Sequence, residues 1–147
     1  APGLACRLYE GEWRKLPDFA ALKPARELVL PTVALAAELP AEKYGLVCEG
    51  YLDVPGGGLT TFSLRAEDGA ELLGDGARVV KNEPTDYLSL KGAAALEPGL
   101  HAIEVRYFQR NFVAGLALSM DGPGSPLAPV PAGRFFHDAG GSMAVAR

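Results

Sequence analysis

The chain has 147 residues, a formal net charge of −4 and 48% apolar residues, a length and composition typical of one globular domain. Its mean hydropathy is +0.09 and no apolar run approaches the ~20 residues of a membrane span, which excludes a transmembrane segment. The acidic balance argues against a nucleic-acid-binding protein and fits a neutral or cationic partner, such as a sugar or a metal ion.

Alternation of apolar and polar residues, interrupted by 18 glycines and 12 prolines, predicts many short strands. The segment 11–42 is predicted to be irregular, because its prolines interrupt helices and strand ladders alike. In chain order, the predicted strands span 4–9, 44–54, 59–65, 70–73, 77–81, 100–109 and 113–120. With one or two more short segments, this makes roughly seven to nine strands.

Turn residues separate these strands. Pro55 and the three glycines after it predict a hairpin, which would make 44–54 and 59–65 antiparallel neighbours. Asp-Gly pairs at 68–69 and 75–76 predict two further turns. The expected fold class is all-β, as a two-sheet antiparallel β-sandwich or a flattened β-barrel.

The two cysteines, Cys6 and Cys48, lie on apolar faces of predicted strands. Neither belongs to a C-x-x-C motif, which argues against zinc and thioredoxin-type chemistry. A disulfide would require the two strands to be adjacent. We therefore expect two free, buried thiols, which behave as small apolar side chains.

No sequence motif for catalysis is present: there is no G-x-S-x-G elbow, no Walker loop and no complete G-x-G-x-x-G. His101 shares a strand face with apolar residues and is interpreted as a satisfied, partly buried histidine. Glu49, Asp53 and Glu104 could pair as glycosidase carboxylates, but surface charge is the simpler interpretation. We therefore expect that the chain is not an enzyme.

Seven segments, in order, resemble motifs of one bacterial β-domain family. They read GLACRLYEG (3–11), LPDF (16–19), YGLVCEGYLDVP (44–55), TFSL with EDG (61–69), LLGDG (72–76), GLHAIEVRYF (99–108) and LSMDGPG (118–124). The resemblance that they carry extends over roughly 3–138. On these motifs the chain resembles the protective-antigen-type domain, a module of secreted glycosidases, adhesins and toxins.

The resemblance implies one β-domain over 1–138, followed by a frayed tail over 139–147. It also implies carbohydrate binding, because several members bind sugars. In the yeast adhesins of this family, two consecutive aspartates joined by a cis peptide hold a calcium ion that helps to bind the sugar. Glu67 and Asp68 stand at that place in this chain.

Carboxylate and amide side chains follow three of the predicted strands, in loops that we expect to share one end of the sandwich. Ca²⁺ prefers such oxygen ligands. The candidate metal ligands are Glu67, Asp68, Asp75 and Asn82, and the candidate ligand-binding set is the same four residues with Gly69. The alternative is that the Asp-Gly pairs only form turns.

The expected function is a non-catalytic carbohydrate-binding or adhesion module of a secreted protein, extracellular or periplasmic, and the expected cofactor is calcium. The expected partner is a glycan or cell-surface polysaccharide. The alternative is a structural or protein–protein interaction module appended to a larger extracellular enzyme. The start of the sequence, without Met, is interpreted as a mature terminus or an excised domain.

Overall fold

The structure is a computed structural model that describes residues 1–35, 39–40, 42–56, 58–82, 89–110, 115–122 and 124–138. Two antiparallel sheets pack face to face, as the alternation predicts, so the fold class is all-β. The predicted tail over 139–147 lies outside the described residues.

The larger sheet has the strand order β2-β1-β3-β8-β5-β6, with β11 also paired to β3. Its strands are β1 (Leu4–Glu10), β2 (Arg26–Leu30), β3 (Tyr44–Val54), β5 (Gly69–Gly74), β6 (Ala77–Asn82), β8 (Gly99–Gln109) and β11 (Phe135–Phe136). The smaller sheet has the order β10-β9-β4-β7. Its strands are β4 (Gly58–Glu67), β7 (Ser89–Leu96), β9 (Gly115–Gly122) and β10 (Ser125–Pro129).

The core lies between the two sheets and is formed by alternate residues of each strand. In β3, for example, Leu46 and Cys48 are buried on the inner face, as their spacing predicts. The largest fully buried apolar side chains are Tyr44, Tyr107, Phe108, Phe135, Leu4, Leu46, Leu52, Leu64 and Leu72.

A second, smaller apolar cluster covers part of the outer face of the larger sheet. Tyr9 and Val47 project from that face, and Phe19 packs on them from the segment between β1 and β2. The Tyr9 and Phe19 ring centroids are 5.1 Å apart. Gly45 makes this contact possible, because a Cβ there would come within 2.6 Å of the Phe19 ring. This cluster fixes the segment 17–24 above the sheet.

Two topological predictions are wrong. The strands on either side of Pro55 do not form a hairpin: β3 pairs with β1, β8 and β11, whereas β4 pairs with β7 and β9. The connection instead crosses from one sheet to the other, which places the apolar faces of β3 and β4 toward each other. The described residues also contain eleven strands, and one of them, β2, lies inside the segment predicted to be irregular.

The prediction of free thiols is also wrong, because Cys6 and Cys48 form a disulfide. Strands β1 and β3 are neighbours, and the antiparallel register places Cys6 directly opposite Cys48, with the two Cα atoms 4.1 Å apart. The adjacency that a disulfide requires is therefore present.

The N-terminus is tied to the last described residues. The Ala1 amino group donates a hydrogen bond to the His137 carbonyl at 3.0 Å, and the His137 backbone N–H donates back to the Ala1 carbonyl at 2.8 Å. None of the helical segments in the described part of the chain has the length or apolar character of a membrane span.

Candidate functional site

One end of the sandwich is formed where β4 of the smaller sheet passes into β5 of the larger one. Glu67 ends β4, Gly69 begins β5, and Asp68 lies between them. The peptide bond from Glu67 to Asp68 is cis. The Asp68 backbone N–H donates to the Phe108 carbonyl at 3.0 Å, and the Asp68 carboxylate accepts a hydrogen bond from the Arg110 backbone N–H at 2.5 Å. The end of β8 therefore holds Asp68 at both its backbone and its side chain.

Asn82 lies at the same end. It is the last residue of β6 and pairs with Ala70, two residues after Asp68. Its side chain is buried and donates a hydrogen bond from Nδ2 to the Leu64 carbonyl of β4 at 2.9 Å. This bond links the two sheets and fixes the amide. The structure thus brings four predicted residues to one end: Glu67, Asp68, Gly69 and Asn82.

Two buried polar side chains on β8 support this end, and sequence reasoning did not identify them. The Tyr107 hydroxyl donates its one hydrogen bond to the Glu67 carbonyl and lies 3.4 Å from Gln109 Oε1. Burial raises the pKa of Tyr107 far above its usual value, so the hydroxyl stays protonated and can donate. The sequence did carry one signal for these residues. Gln109 is a polar residue that shares the alternation of Val105 and Tyr107, so it is expected on the inward face of β8, where a buried amide needs hydrogen-bond partners.

Asp75 does not belong to this end, which corrects the prediction that four loop side chains converge. Asp68 precedes β5 and Asp75 follows it. The six residues of β5 lie between them, which puts their Cα atoms about 23 Å apart over seven steps at the rise of a β-strand. Asp75 and Gly76 instead form the tight turn between β5 and β6, with φ angles of 50° and 84°.

The Asp75 carboxylate is engaged locally at that opposite end. One oxygen lies 2.7 Å from Nδ1 of His101, and the other accepts a hydrogen bond from the Ala102 backbone N–H at 3.2 Å. His101 Nε2 lies 2.6 Å from the Glu97 carbonyl. His101 is therefore partly buried and both of its ring nitrogens have partners. This confirms the prediction made from its position on the strand.

The loop end offers hard oxygen ligands, although only part of a metal shell. No group of three or more His, Cys, Asp or Glu side chains suited to a metal ion occurs within the described residues. The loop end instead combines two carboxylates, of Glu67 and Asp68, with one side-chain amide, of Asn82. This donor set is compatible with Ca²⁺, which also accepts backbone carbonyls, water and ligand hydroxyls.

The interpretation of Glu49 as surface charge requires a correction, because Glu49 is only 6% exposed. Glu49 faces Glu104 in the register of β3 and β8, and Glu104 is partly exposed. Glu104 accepts a hydrogen bond from Arg106, and Glu49 lies near Arg7. Buried charges such as that of Glu49 are normally paired, as it is.

Comparisons with known proteins give the fold. No family model and no curated protein matches the chain. Among solved structures, an anti-sigma factor domain-containing protein matches with a TM-score of 0.79 and 17% identity, over 96% of this chain and 49% of the other. The chain therefore spans about half the length of that protein.

Two adhesin structures match over nearly their whole length. The PA14 sugar-binding domain of an RTX adhesin has a TM-score of 0.77 at 15% identity, covering 94% of this chain and 99% of that domain. The Epithelial Adhesin 9 A domain from Candida glabrata, in complex with Galb1-4GlcNAc, has a TM-score of 0.73 at 13% identity, covering 95% and 92%. PA14 is the protective-antigen-type domain, so the chain has the fold that its motifs predict.

Proposed function

We propose that the chain is a non-catalytic carbohydrate-binding or adhesion module that holds a glycan at the β4–β5 end of the sandwich. The observation that carries the proposal is the position of Glu67, Asp68 and Asn82 at the same end of the sandwich, with Asp68 and Asn82 fixed by hydrogen bonds to neighbouring strands. The similarity to a sugar-binding PA14 domain and to an adhesin domain in complex with Galb1-4GlcNAc supports it.

Calcium is part of the proposal. Glu67, Asp68 and Asn82 would hold the ion, and Asp75 would not, because it lies at the other end of β5. A bound Ca²⁺ would supply open coordination positions for the hydroxyl groups of a sugar. The protein would contribute a fixed site, because the Arg110 backbone N–H and the Leu64 carbonyl orient two of the three side chains.

A secreted location is also part of the proposal. The Cys6–Cys48 disulfide supports it, because disulfides persist in oxidising compartments and are rare in the cytosol. The acidic character of the chain is compatible with binding a neutral glycan.

The test is a glycan array probed with the labelled chain in calcium and again in EDTA, with Galb1-4GlcNAc among the glycans. We expect binding in calcium that EDTA abolishes. The Asp68→Asn variant should lose this binding, because it removes a charged ligand and keeps an oxygen that can accept from Arg110. The Asp75→Asn variant is the matched control and should bind as the unmutated chain does.

An array without any calcium-dependent signal would contradict the proposal. The alternative function would then account better for the result: a structural or protein–protein interaction module of a larger extracellular protein. Binding that the Asp75→Asn variant loses and the Asp68→Asn variant keeps would place the glycan at the wrong end of the sandwich and would equally contradict it.

A further inference from the structure

A cavity of about 320 Å³ lies outside the core, on the outer face of the larger sheet. Strands β1, β3 and β8 form its floor, and residues from the segment 17–24 close one side. Small-molecule pockets begin at about 300 Å³, so the cavity has room for one small ligand. It is separate from the β4–β5 end, since none of the residues proposed to hold calcium lines it.

The floor of the cavity carries paired charges in a regular arrangement. Arg7 and Arg106 stand on either side of Val47 in the strand register. Glu49 and Glu104 are opposite each other two residues further along. Because these positions share one face of the sheet, two guanidinium groups and two carboxylates line the same space.

The two arginines differ in their hydrogen bonds. Arg106 is occupied, with Nε 2.5 Å from Glu104 and Nη1 3.5 Å from Glu71. Arg7 Nε is buried and has no hydrogen-bond partner among the residues that the structure describes. The charge contact of Arg7 is with Glu49 at 3.6 Å, which is too long for a hydrogen bond. Buried donors without an acceptor are rare in folded proteins. The Arg7 side chain as a whole is 30% exposed and lines the cavity, so its terminal guanidinium nitrogens, and not Nε, can donate to a ligand oxygen.

These contacts define the ligand chemistry. Glu49 already compensates the charge of Arg7 from 3.6 Å, so a ligand at Arg7 would supply a hydrogen-bond acceptor and not a counterion. With Asp18, the lining has three carboxylates against two guanidinium groups, which disfavours an anion. A hydroxyl group can accept from an arginine and donate to a carboxylate at the same time. Phe19, Leu22 and Val47 add an apolar side for the C–H face of a sugar ring.

We propose that this cavity is a second carbohydrate site, which binds one neutral sugar ring through Arg7 and needs no calcium. The proposal does not depend on the loop-end site, because none of its residues belongs to the set that would hold the metal ion. The two proposals can therefore fail separately.

The experiment is an NMR titration of the full chain in EDTA with three probes: the methyl glycosides of glucose, galactose and mannose. We expect at least one probe to shift the methyl signals of Val47 and Leu22 in a saturable way. The Arg7→Met variant should bind about tenfold more weakly or worse, because a charge-assisted hydrogen bond is lost. The Arg65→Met variant is the matched control, since Arg65 is an exposed residue of β4 in the smaller sheet, does not line the cavity and should leave binding unchanged.

A second variant tests the cavity without changing its charges. Ala20 is exposed and lines the opening, so an Ala20→Trp substitution should fill the space and abolish the shifts while the chain stays folded. The Asp68→Asn variant should bind the same probe normally.

Three results would overturn the proposal. The first is no shift of the Val47 or Leu22 signals at about 50 mM of each sugar, well above a Kd of about 1 mM. The second is unchanged binding in both the Arg7→Met and the Ala20→Trp variants. The third is sugar binding that occurs only in calcium and is lost in the Asp68→Asn variant, which would assign the sugar to the loop end alone.

Discussion

His101 bridges two turns: its Nδ1 lies 2.7 Å from the Asp75 carboxylate and its Nε2 lies 2.6 Å from the Glu97 carbonyl. Both partners are hydrogen-bond acceptors, so only the doubly protonated imidazolium can donate to both. The Glu97 carbonyl is the main cause of a raised pKa for His101; partial burial opposes the rise, and Asp75 adds to it. The charged ring therefore ties the β5–β6 turn to the β7–β8 turn.

This bridge should make the stability of the fold depend on pH. The folded-state pKa of His101 is raised above its unfolded value of about 6.5, so its stabilising contribution is complete below that pH and is lost as pH rises through the folded-state pKa. We therefore expect the melting temperature of the unmutated chain to fall from about pH 6.5 upward, until the pH has passed the folded-state pKa. The His101→Gln variant should show a flatter profile over the same range.

An Asp75→Asn variant refines this test. Because the Glu97 carbonyl is the larger influence on His101, removing the charge of Asp75 should reduce the pH dependence and not abolish it. Melting curves recorded across the range for all three proteins measure the effect. Identical pH profiles for the unmutated chain and the His101→Gln variant would show that the bridge does not titrate as described.

The Cys6–Cys48 disulfide closes a long loop, because the two cysteines are 42 positions apart in the sequence. Replacing both cysteines by alanine should lower the free energy of unfolding by about 2–4 kcal/mol, because the unfolded chain regains the entropy of that loop. Urea denaturation with and without reductant measures this. The unmutated chain should lose stability in reductant, whereas the double variant should respond to urea identically in both buffers.

Gly50 allows β11 to pass close to β3. A Cβ at this position would lie 2.2 Å from the Phe136 carbonyl oxygen and 2.9 Å from a Leu4 methyl group. The backbone of Phe136 would have to move, so Gly50→Ala should destabilise the fold by about 1–3 kcal/mol. Gly56→Ala is the control, because a Cβ there meets nothing within 4 Å and should change stability by less than about 0.5 kcal/mol. Equal denaturation midpoints for the two variants would contradict the close approach.

Tyr107 connects the core to the proposed binding end through the hydrogen bond from its hydroxyl to the Glu67 carbonyl. Tyr107→Phe leaves that carbonyl without its donor, so we expect a loss of about 1–3 kcal/mol in the free energy of unfolding and weaker glycan binding. Tyr51→Phe is the control, since the Tyr51 hydroxyl donates only at the surface, to Asp138 at 3.3 Å. A Tyr107→Phe variant as stable as the Tyr51→Phe variant would argue against the role of this bond.

The strands that alternate clearly were predictable from the sequence. β3 has the predicted bounds and β8 differs by one residue, because apolar inner positions alternate with polar outer ones and Pro or Gly residues mark the ends. β7 was not predicted, because Gly92 and the alanines at 93–95 have little preference for strands. Pairing with β4 along its whole length places it in the sheet.

The site was predictable only where neighbouring residues in the chain also meet in space. Glu67, Asp68 and Gly69 lie together because they are consecutive, and Asn82 joins them because β5 and β6 form a hairpin. Asp75 was placed at the wrong end because an Asp-Gly pair indicates a turn and does not show at which end of the sandwich the turn lies. Asp68 precedes β5 and Asp75 follows it, so the two residues lie at opposite ends of that strand. The cysteine pairing depended on which strands are adjacent, and local alternation carries no such information.

The calcium proposal gives the last prediction. If Ca²⁺ binds the folded chain alone, a concentration of about a hundred times Kd adds about 2.7 kcal/mol of stability, a rise of about 5–10 °C in melting temperature for a domain of this size. Asp68→Asn should remove this rise, because one charged ligand is lost while the acceptor for the Arg110 N–H remains. Asp75→Asn should keep the full rise, since Asp75 lies at the other end of β5. Differential scanning calorimetry in calcium and in EDTA compares the three proteins. If the unmutated chain melts at the same temperature in millimolar calcium and in EDTA, the loop end holds no calcium and any glycan there must bind through protein groups alone.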